Sequence, residues 1–487
     1  MSVARRARAE AAYPRLHLLI DGAWIAADAR PSEPVIDPST GKALGRFPVA
    51  GPADVERAIA AAGDSFEAWR LKPALERSHL LRAAAEGIRA QKELLANLIA
   101  LELGKPLGEA LREAELACEM FEWAAEEARR LYGRLIPSRS PTLRLSAVRV
   151  PVGPAGAVSG WNAPALTPAR KLSSALAAGC TIVLKPSEAT PATAQLLVRA
   201  LHDAGIPRGV VNMVLGDPPA SVGRMVDHPG LRMFSFTGGT DVGRRLAARA
   251  ALTLKRTVFE LGGHAPVLIF DDVCPEEVAP AAAAAKFRNA GQVCTSPTRF
   301  LVARPIFARF RDAFVRATEA LRVDDPFADG TAMGPLQNAR RLEAVTTLVA
   351  DARAQGAAVI AGGSPIEGTG CWHQPTVFVD VPLDARVIAE EPFGPIALLA
   401  PFDTIDEAIA EANRLPFGLA AYAATQRLSI AERLSRDVHC GTLAINSWIA
   451  SFPETPFGGM KDSGIGIEGG TEGIAAFLQT RCISVAA

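Results

Sequence analysis

Between Ala155 and Leu261 the chain alternates apolar runs with helical segments: AGAVSG, PALTPARKLSSALAAG, TIVLK, TPATAQLLVRALHDAG, VVNMVLG, SVGRMVDH, MFSFTG, DVGRRLAARAAL and RTVFEL. A helix between successive strands demands a parallel sheet with crossover helices. Ligands of such a sheet bind beyond the carboxyl ends of its strands, near the point where strand order reverses. After Gly262 a second alternating region begins with APVLIF, PEEVAPAAAAAKFRNAG and RFLVARP. It continues through two helices, the strand AAVIAGG and the helix IDEAIAEANRL to a Gly-rich stretch and the tail GIAAFLQTRCISVAA. Ahead of both, apolar residues at three- and four-residue spacing predict three long helices between Ala53 and Arg130. The segment LIPSRSPTLRLSAVRV, with two prolines, predicts an exposed strand pair leaving the body.

At 487 residues, with 52 Lys+Arg against 52 Asp+Glu and 49% hydrophobic residues, the chain falls among globular proteins of roughly two to four lobes. Zero net charge and no basic block argue against a nucleic-acid partner. Seven cysteines without C-x-x-C spacing point to a reducing compartment. No apolar run reaches the ~18 residues of a membrane span, and the Arg-rich start lacks a signal-peptide core, so a cytoplasmic protein with a disordered or loosely docked N-terminal arm is expected. A mitochondrial presequence is the alternative for that arm. Arg and Ala excess, with nine lysines, suggests a GC-rich bacterial genome.

Residues able to do chemistry stand at the ends of these elements. Cys294, in FRNAGQVCTSPTR, follows a Gly-Gln turn that presents its thiol in partly accessible backbone, and a thiolate attacks carbonyl carbon. The other six cysteines are expected to be small buried hydrophobes. Glu260 ends TVFEL just before Gly262 and Gly263, a general-base position, unless it pairs with Arg256. Asn162 of GWNAP sits on a strand-to-helix turn, where its amide could donate to an oxyanion or cap the helix. FTGGTDVGRRL offers strand, Gly-Gly turn and helix start, a phosphate-binding geometry. Its spacing from Gly238 is G-x-T-x-x-G, with Thr240 at the second glycine of the dinucleotide fingerprint, so a plain tight turn is also open. Lys185 and Glu188 of KPSE follow the strand TIVL, where a carboxylate would accept ribose hydroxyls and repel a 2′-phosphate.

In chain order, GWNAP, KPSE, FTGGTDVG, FELGG, GQVC, EEPFGP and PFGGMKDSGIG resemble the aldehyde dehydrogenase superfamily over nearly the whole chain. The resemblance implies an α/β fold of two open lobes: a Rossmann-like cofactor lobe (1–134 and 151–262) and a catalytic lobe (263–455). A small β bridging element (135–150 and 475–487) would join copies into a homodimer or homotetramer. It implies Cys294 as nucleophile, Glu260 as base for the deacylating water, and Asn162 with the Cys294 N–H as oxyanion hole. Trp161, Lys185, Glu188, Gly238 and Thr240 match residues around the adenosine and pyrophosphate of NAD, with NADP possible, and Glu391 and Phe393 match those holding the nicotinamide ribose. No metal is implied. Gly239 stands where many relatives have Ser, and GWNAP departs from the commoner P-W-N-x-P. Relatives that pass the acyl group to coenzyme A generally lack a Glu at the position of Glu260, so the implied product is a free acid.

Arg170 and Arg288, with Ser451, resemble the set that holds the distal carboxylate in succinic semialdehyde dehydrogenases, which implies a small carboxylate-bearing semialdehyde. Either arginine could instead make a surface or interface ion pair. Phe121, Trp448 and Phe452 could line a pocket for a hydroxyaldehyde or aromatic aldehyde. Two readings come from other classes, a silent structural relative and a thiol redox sensor. Cys294, Glu260 and Asn162 occurring together oppose the first, and the lack of a nearby resolving cysteine opposes the second.

Overall fold

The alternation that begins at Ala155 becomes the parallel centre of an eight-stranded sheet in a computed structural model that describes residues 2–28 and 30–486. Strand order is Ala23–Ala26, His17–Ile20, Val211–Met213, Ile182–Lys185, Ala155–Val158, Met233–Thr237, Arg256–Glu260 and Gly464–Ile465. The five middle strands run parallel and the edges antiparallel. From Ala155–Val158 the chain steps outward, then crosses back to Met233–Thr237 on the other side, so the reversal point opens beyond Val158 and Thr237.

The second lobe holds a seven-stranded sheet: Ala358–Ala361, Thr376–Val379, Ile396–Phe402, Pro297–Ala303, Ala265–Ile269, Ala420–Ala424 and Thr442–Ile445. All neighbours are parallel except the first pair. Four of these strands, starting at Thr376, Ile396, Ala420 and Thr442, escaped the sequence reading. AAYAA illustrates why: alanine favours helix, and only complete burial between neighbouring strands makes the segment extended.

Several expectations need correction. Residues 52–127 form four helices rather than three, Pro52–Leu71, Ala74–Ala90, Lys92–Leu103 and Leu107–Glu127, because Gln91 leaves helical geometry within the second predicted run. The N-terminal segment is no loose arm: Ser2–Ala11 is a helix whose Arg6 binds Asp37 and Asp325. Of the six cysteines expected to be buried, only Cys118 and Cys180 are. Cys274 and Cys482 are exposed, one at a helix N-terminus and one on an exposed strand, and Cys371 and Cys440 are half-buried. The strand pair Arg134–Ile136 and Leu143–Pro151 leaves the body as expected, and Leu478–Ala486 pairs with it to complete a three-stranded arm. Among the described residues no helix is long and apolar enough to cross a membrane, and no three potential metal ligands cluster.

Candidate active site

The segment carrying Cys294 leaves the helix Pro275–Phe287 through three successive left-handed residues, Asn289, Ala290 and Gly291, with φ of 49°, 53° and 70°. Two of these are not glycine, so the turn is strained and needs support. Asn289 Nδ2 donates to the carbonyls of Asn162 and Gln292, both at 3.2 Å. Gln292 donates back to Asn289 O at 3.0 Å and accepts from Gln337 N at 2.9 Å. Lys286 Nζ donates to Ser296 Oγ at 3.0 Å, tying the two ends of the loop. Cys294 is half-buried. Burial pushes its thiol up to about 12, helped by the Glu391 and Glu260 carboxylates and opposed by Arg170. A Cβ on Gly263 would stand 2.5 Å from Cys294 O, so only glycine lets the two segments meet.

Glu260 is 3% exposed, and neither carboxylate oxygen has a hydrogen-bond partner among the described residues. The alternative of a pair with Arg256 fails, because Arg256 turns to the carbonyl of Leu478. Burial, with the Glu468 carboxylate beside it, holds Glu260 well above the usual carboxylate range, while Lys171 and Arg170 pull the other way. Lys171 and Glu468 form a buried ion pair at 2.5 Å, and Ser235 Oγ lies 2.7 Å from Lys171 Nζ. The sequence reading missed this pair, although two adjacent cations in the otherwise uncharged helix Leu166–Ala178, buried from Thr167 onward, were a legible signal.

Asn162 lies on the turn after Ala155–Val158. It does not cap the following helix: that helix starts at Leu166, and Glu113 accepts from Ala165 N at 2.9 Å and Leu166 N at 3.2 Å. The Asn162 carbonyl accepts from Lys105 Nζ at 3.1 Å as well as from Asn289, so the turn is held through its backbone. Arg170 is buried, its Nη2 donates to Ser451 Oγ at 2.6 Å, its guanidinium lies 4.4 Å over the Phe457 ring, and its Nε has no partner among the described residues. Glu468, Glu260 and Cys294 all act electrostatically on it. Arg170 and Ser451, 281 residues apart, therefore meet. Arg288 does not join them: it is exposed, its side chain makes no hydrogen bond or ion pair among the described residues, and it lies within electrostatic reach of Glu109 and Tyr422. Phe121 is wholly buried in the first lobe's core, Trp448 stacks on Tyr422, and Phe452 is exposed.

The reversal point of the first sheet is lined as a nucleotide cradle would be. Lys185 and Glu188 form an ion pair at the end of Ile182–Lys185, and Glu188 also accepts from Gly216 N at 3.1 Å. Gly239 caps the helix Thr240–Ala251, and a Cβ there would meet nothing within 4 Å, so the space an anion needs is open. Gly238 N donates to Glu260 O at 3.0 Å, and Thr240 Oγ1 accepts from Gly262 N at 3.2 Å. Ser159 and Thr237, at the carboxyl ends of the two strands flanking the reversal, carry buried hydroxyls with no hydrogen-bond partner among the described residues. Across the cleft, Glu391 Oε1 is buried with no partner among the described residues, and burial raises that carboxyl to about 7. Phe393, at φ 41°, meets the Trp161 ring edge-on at 5.4 Å.

Two α/β lobes that enclose a thiol, a bare carboxylate and a nucleotide-type cradle define an oxidoreductase class, and the comparisons name it. The model of the aldehyde dehydrogenase family matches residues 24–483. The chain belongs to that family and is an aldehyde dehydrogenase. It is 45% identical to 4-(hydroxymethyl)benzenesulfonate dehydrogenase of Comamonas testosteroni, over 95% of this chain and 97% of the relative. It is 39% identical to the succinate-semialdehyde dehydrogenase of Escherichia coli (strain K12) whose name specifies NADP(+), over 97% and 98%. Among solved structures, betaine aldehyde dehydrogenase from Staphylococcus aureus in complex with NAD+ matches with a TM-score of 0.96 at 31% identity, covering 99% of this chain and 97% of that one.

Proposed function

We propose that this chain uses NAD, with NADP tolerated, to oxidise an aldehyde bearing a distal anion to the free carboxylic acid, with Cys294 as nucleophile. The observation that carries the substrate reading is the buried Arg170 guanidinium, joined to Ser451 and acting electrostatically on Cys294 and Glu260. A cation in that position is matched by a carboxylate or sulfonate on the substrate. A small carboxylate-bearing semialdehyde such as succinic semialdehyde fits, and semialdehyde dehydrogenases are among the relatives.

Attack of the Cys294 thiolate on the aldehyde carbon makes a thiohemiacetal, whose oxyanion would lie between the Asn162 amide and the Cys294 N–H. The donor set fits a dinucleotide. Lys185 and Glu188 would hold the adenosine ribose, Gly238 and Thr240 the pyrophosphate, and Glu391 the nicotinamide ribose, with Trp161 and Phe393 flanking. A nicotinamide bound there supplies the hydride acceptor. Glu260, without a hydrogen-bond partner among the described residues, then takes a proton from the water that cleaves the thioester, which returns the thiol and releases the acid.

A second reading keeps the anion and changes the spacer. Arg288 stands outside the Arg170–Ser451 pair, and the relative from Comamonas is named for an aromatic sulfonate, so an aryl aldehyde with an anionic group opposite the aldehyde is the alternative. A panel of succinic semialdehyde, butanal, 4-formylbenzenesulfonate and benzaldehyde separates the readings. Arg170→Ala should lower kcat/KM about ten- to a hundredfold for the preferred anionic aldehyde and hardly at all for its neutral counterpart. Equal losses on charged and neutral aldehydes would remove the anion reading.

A further inference from the structure

The helix Leu107–Glu127 starts beneath both halves of the reaction centre, and charges at its first turns have no role in the chemistry described above. Lys105, just before the helix, and Glu113 form an ion pair whose side chains are 8% and 7% exposed. Burying such a pair is seldom a net gain unless its remaining bonds are used. Here they all go to one stretch of backbone: Lys105 Nζ to Asn162 O at 3.1 Å, and Glu113 Oε1 to the N–H groups of Ala165 and Leu166. One helical turn earlier, Glu109 Oε2 accepts from Asn289 N at 3.1 Å. Asn289 in turn donates to that same Asn162 carbonyl. Lys105 also acts electrostatically on Glu109. One helix start therefore grips the Asn162 turn in the first lobe and the Cys294 loop in the second.

We infer that Lys105, Glu109 and Glu113 are positioning residues that set the separation between the Asn162 amide and the Cys294 thiol, an inference resting on the reading of those two as oxyanion donor and nucleophile. None of the three is bonded to the Asn162 side chain, Cys294 or Glu260. Their action runs through the backbone they hold. An oxyanion donor works only at hydrogen-bond distance from the developing charge, and a displacement of about 1 Å costs roughly a hundredfold in rate.

The test is a double-mutant cycle read by single-turnover formation of reduced coenzyme with succinic semialdehyde and NAD. Glu113→Gln and Glu109→Ala should each slow that step about ten- to a hundredfold while the Kd for NAD stays within about twofold. In an Asn162→Ala background the same substitutions should change the rate less than about twofold, because the amide whose distance from the thiol they set is gone. A lower melting temperature with an unchanged rate per titrated active site would overturn the inference, as would full losses in the Asn162→Ala background. Should Glu113→Gln fail to fold, Glu109→Ala, on a half-buried residue, carries the same cycle. The underlying reading is tested separately: wild-type rates in Cys294→Ala or Asn162→Ala would remove it. Losses there beside a wild-type rate in Glu109→Ala would remove only the positioning role.

Discussion

Glu260 stands within electrostatic reach of Cys294 as a carboxyl 3% exposed, beside a second carboxyl, Glu468, and with neither oxygen hydrogen-bonded among the described residues. Such an arrangement opposes folding and persists where function uses it. If Glu260 activates the deacylating water, Glu260→Gln should release one burst of NADH, about one equivalent per site, and then stall, since hydride transfer precedes hydrolysis. An unchanged steady-state rate would contradict that role. The pH profile follows from direction alone. Burial raises both the Glu260 carboxyl and the Cys294 thiol, the thiol to about 12, so if Cys294 is the nucleophile its thiolate grows as pH rises through and beyond neutrality. The log of kcat/KM should climb with a slope of about one on an acid limb extending above pH 7. A flat profile from about pH 6 to 9 would show that neither ionisation limits the rate.

Helices show where local sequence stops being informative. The helix Leu166–Ala178 follows an Asn suited to N-capping, yet its cap is Glu113, 52 residues away, and Pro191–Asp203 is capped in the same manner by Glu102. Periodicity located both helices, but no spacing rule could join them to carboxylates on other elements. Glu102 is fully buried and accepts from Ala192 N, Thr193 N, Thr193 Oγ1 and Tyr13 Oη, at 2.7 to 3.0 Å. Glu102→Ala strands those four donors and should lower unfolding free energy by roughly 3 kcal/mol or more, measured by urea titration. Burial also raises Glu102 to about 7 from an ordinary 4.5. The folded state then keeps a proton that the unfolded chain has released, so this residue's contribution to stability falls as pH climbs from about 4.5 to about 7 and is level above that. Glu102→Gln should flatten that slope. A stability curve of unchanged slope would assign the titration to other groups.

At the scale of the molecule, the parallel sheet and the residues at its carboxyl ends were legible because each is a local pattern of a few residues: FELGG, GWNAP and KPSE carry their geometry within themselves. The buried pair Lys171–Glu468 and the contact of Arg170 with Ser451 span nearly 300 residues and became visible only on folding. The sequence reading also passed over a charge run. Residues 128–151 hold six arginines and no Asp or Glu, and they build most of the three-stranded arm. Of the six, only Arg130 has an ion pair among the described residues, with Glu127. The arm also exposes Leu135 by 86% and Val485 by 55%, and a three-stranded sheet standing off a core is poorly stable on its own. We propose that a second copy covers this arm, making the protein a homodimer or homotetramer. Light scattering coupled to size exclusion should return two or four times the mass of one chain at micromolar concentration. Leu135→Asp with Val485→Asp buries two charges if the arm is covered and should shift the population towards monomer, while leaving the aldehyde site of any surviving oligomer unaltered. A monomeric wild-type chain would remove the proposal. An oligomer that tolerates both substitutions unchanged would move the interface elsewhere on the surface.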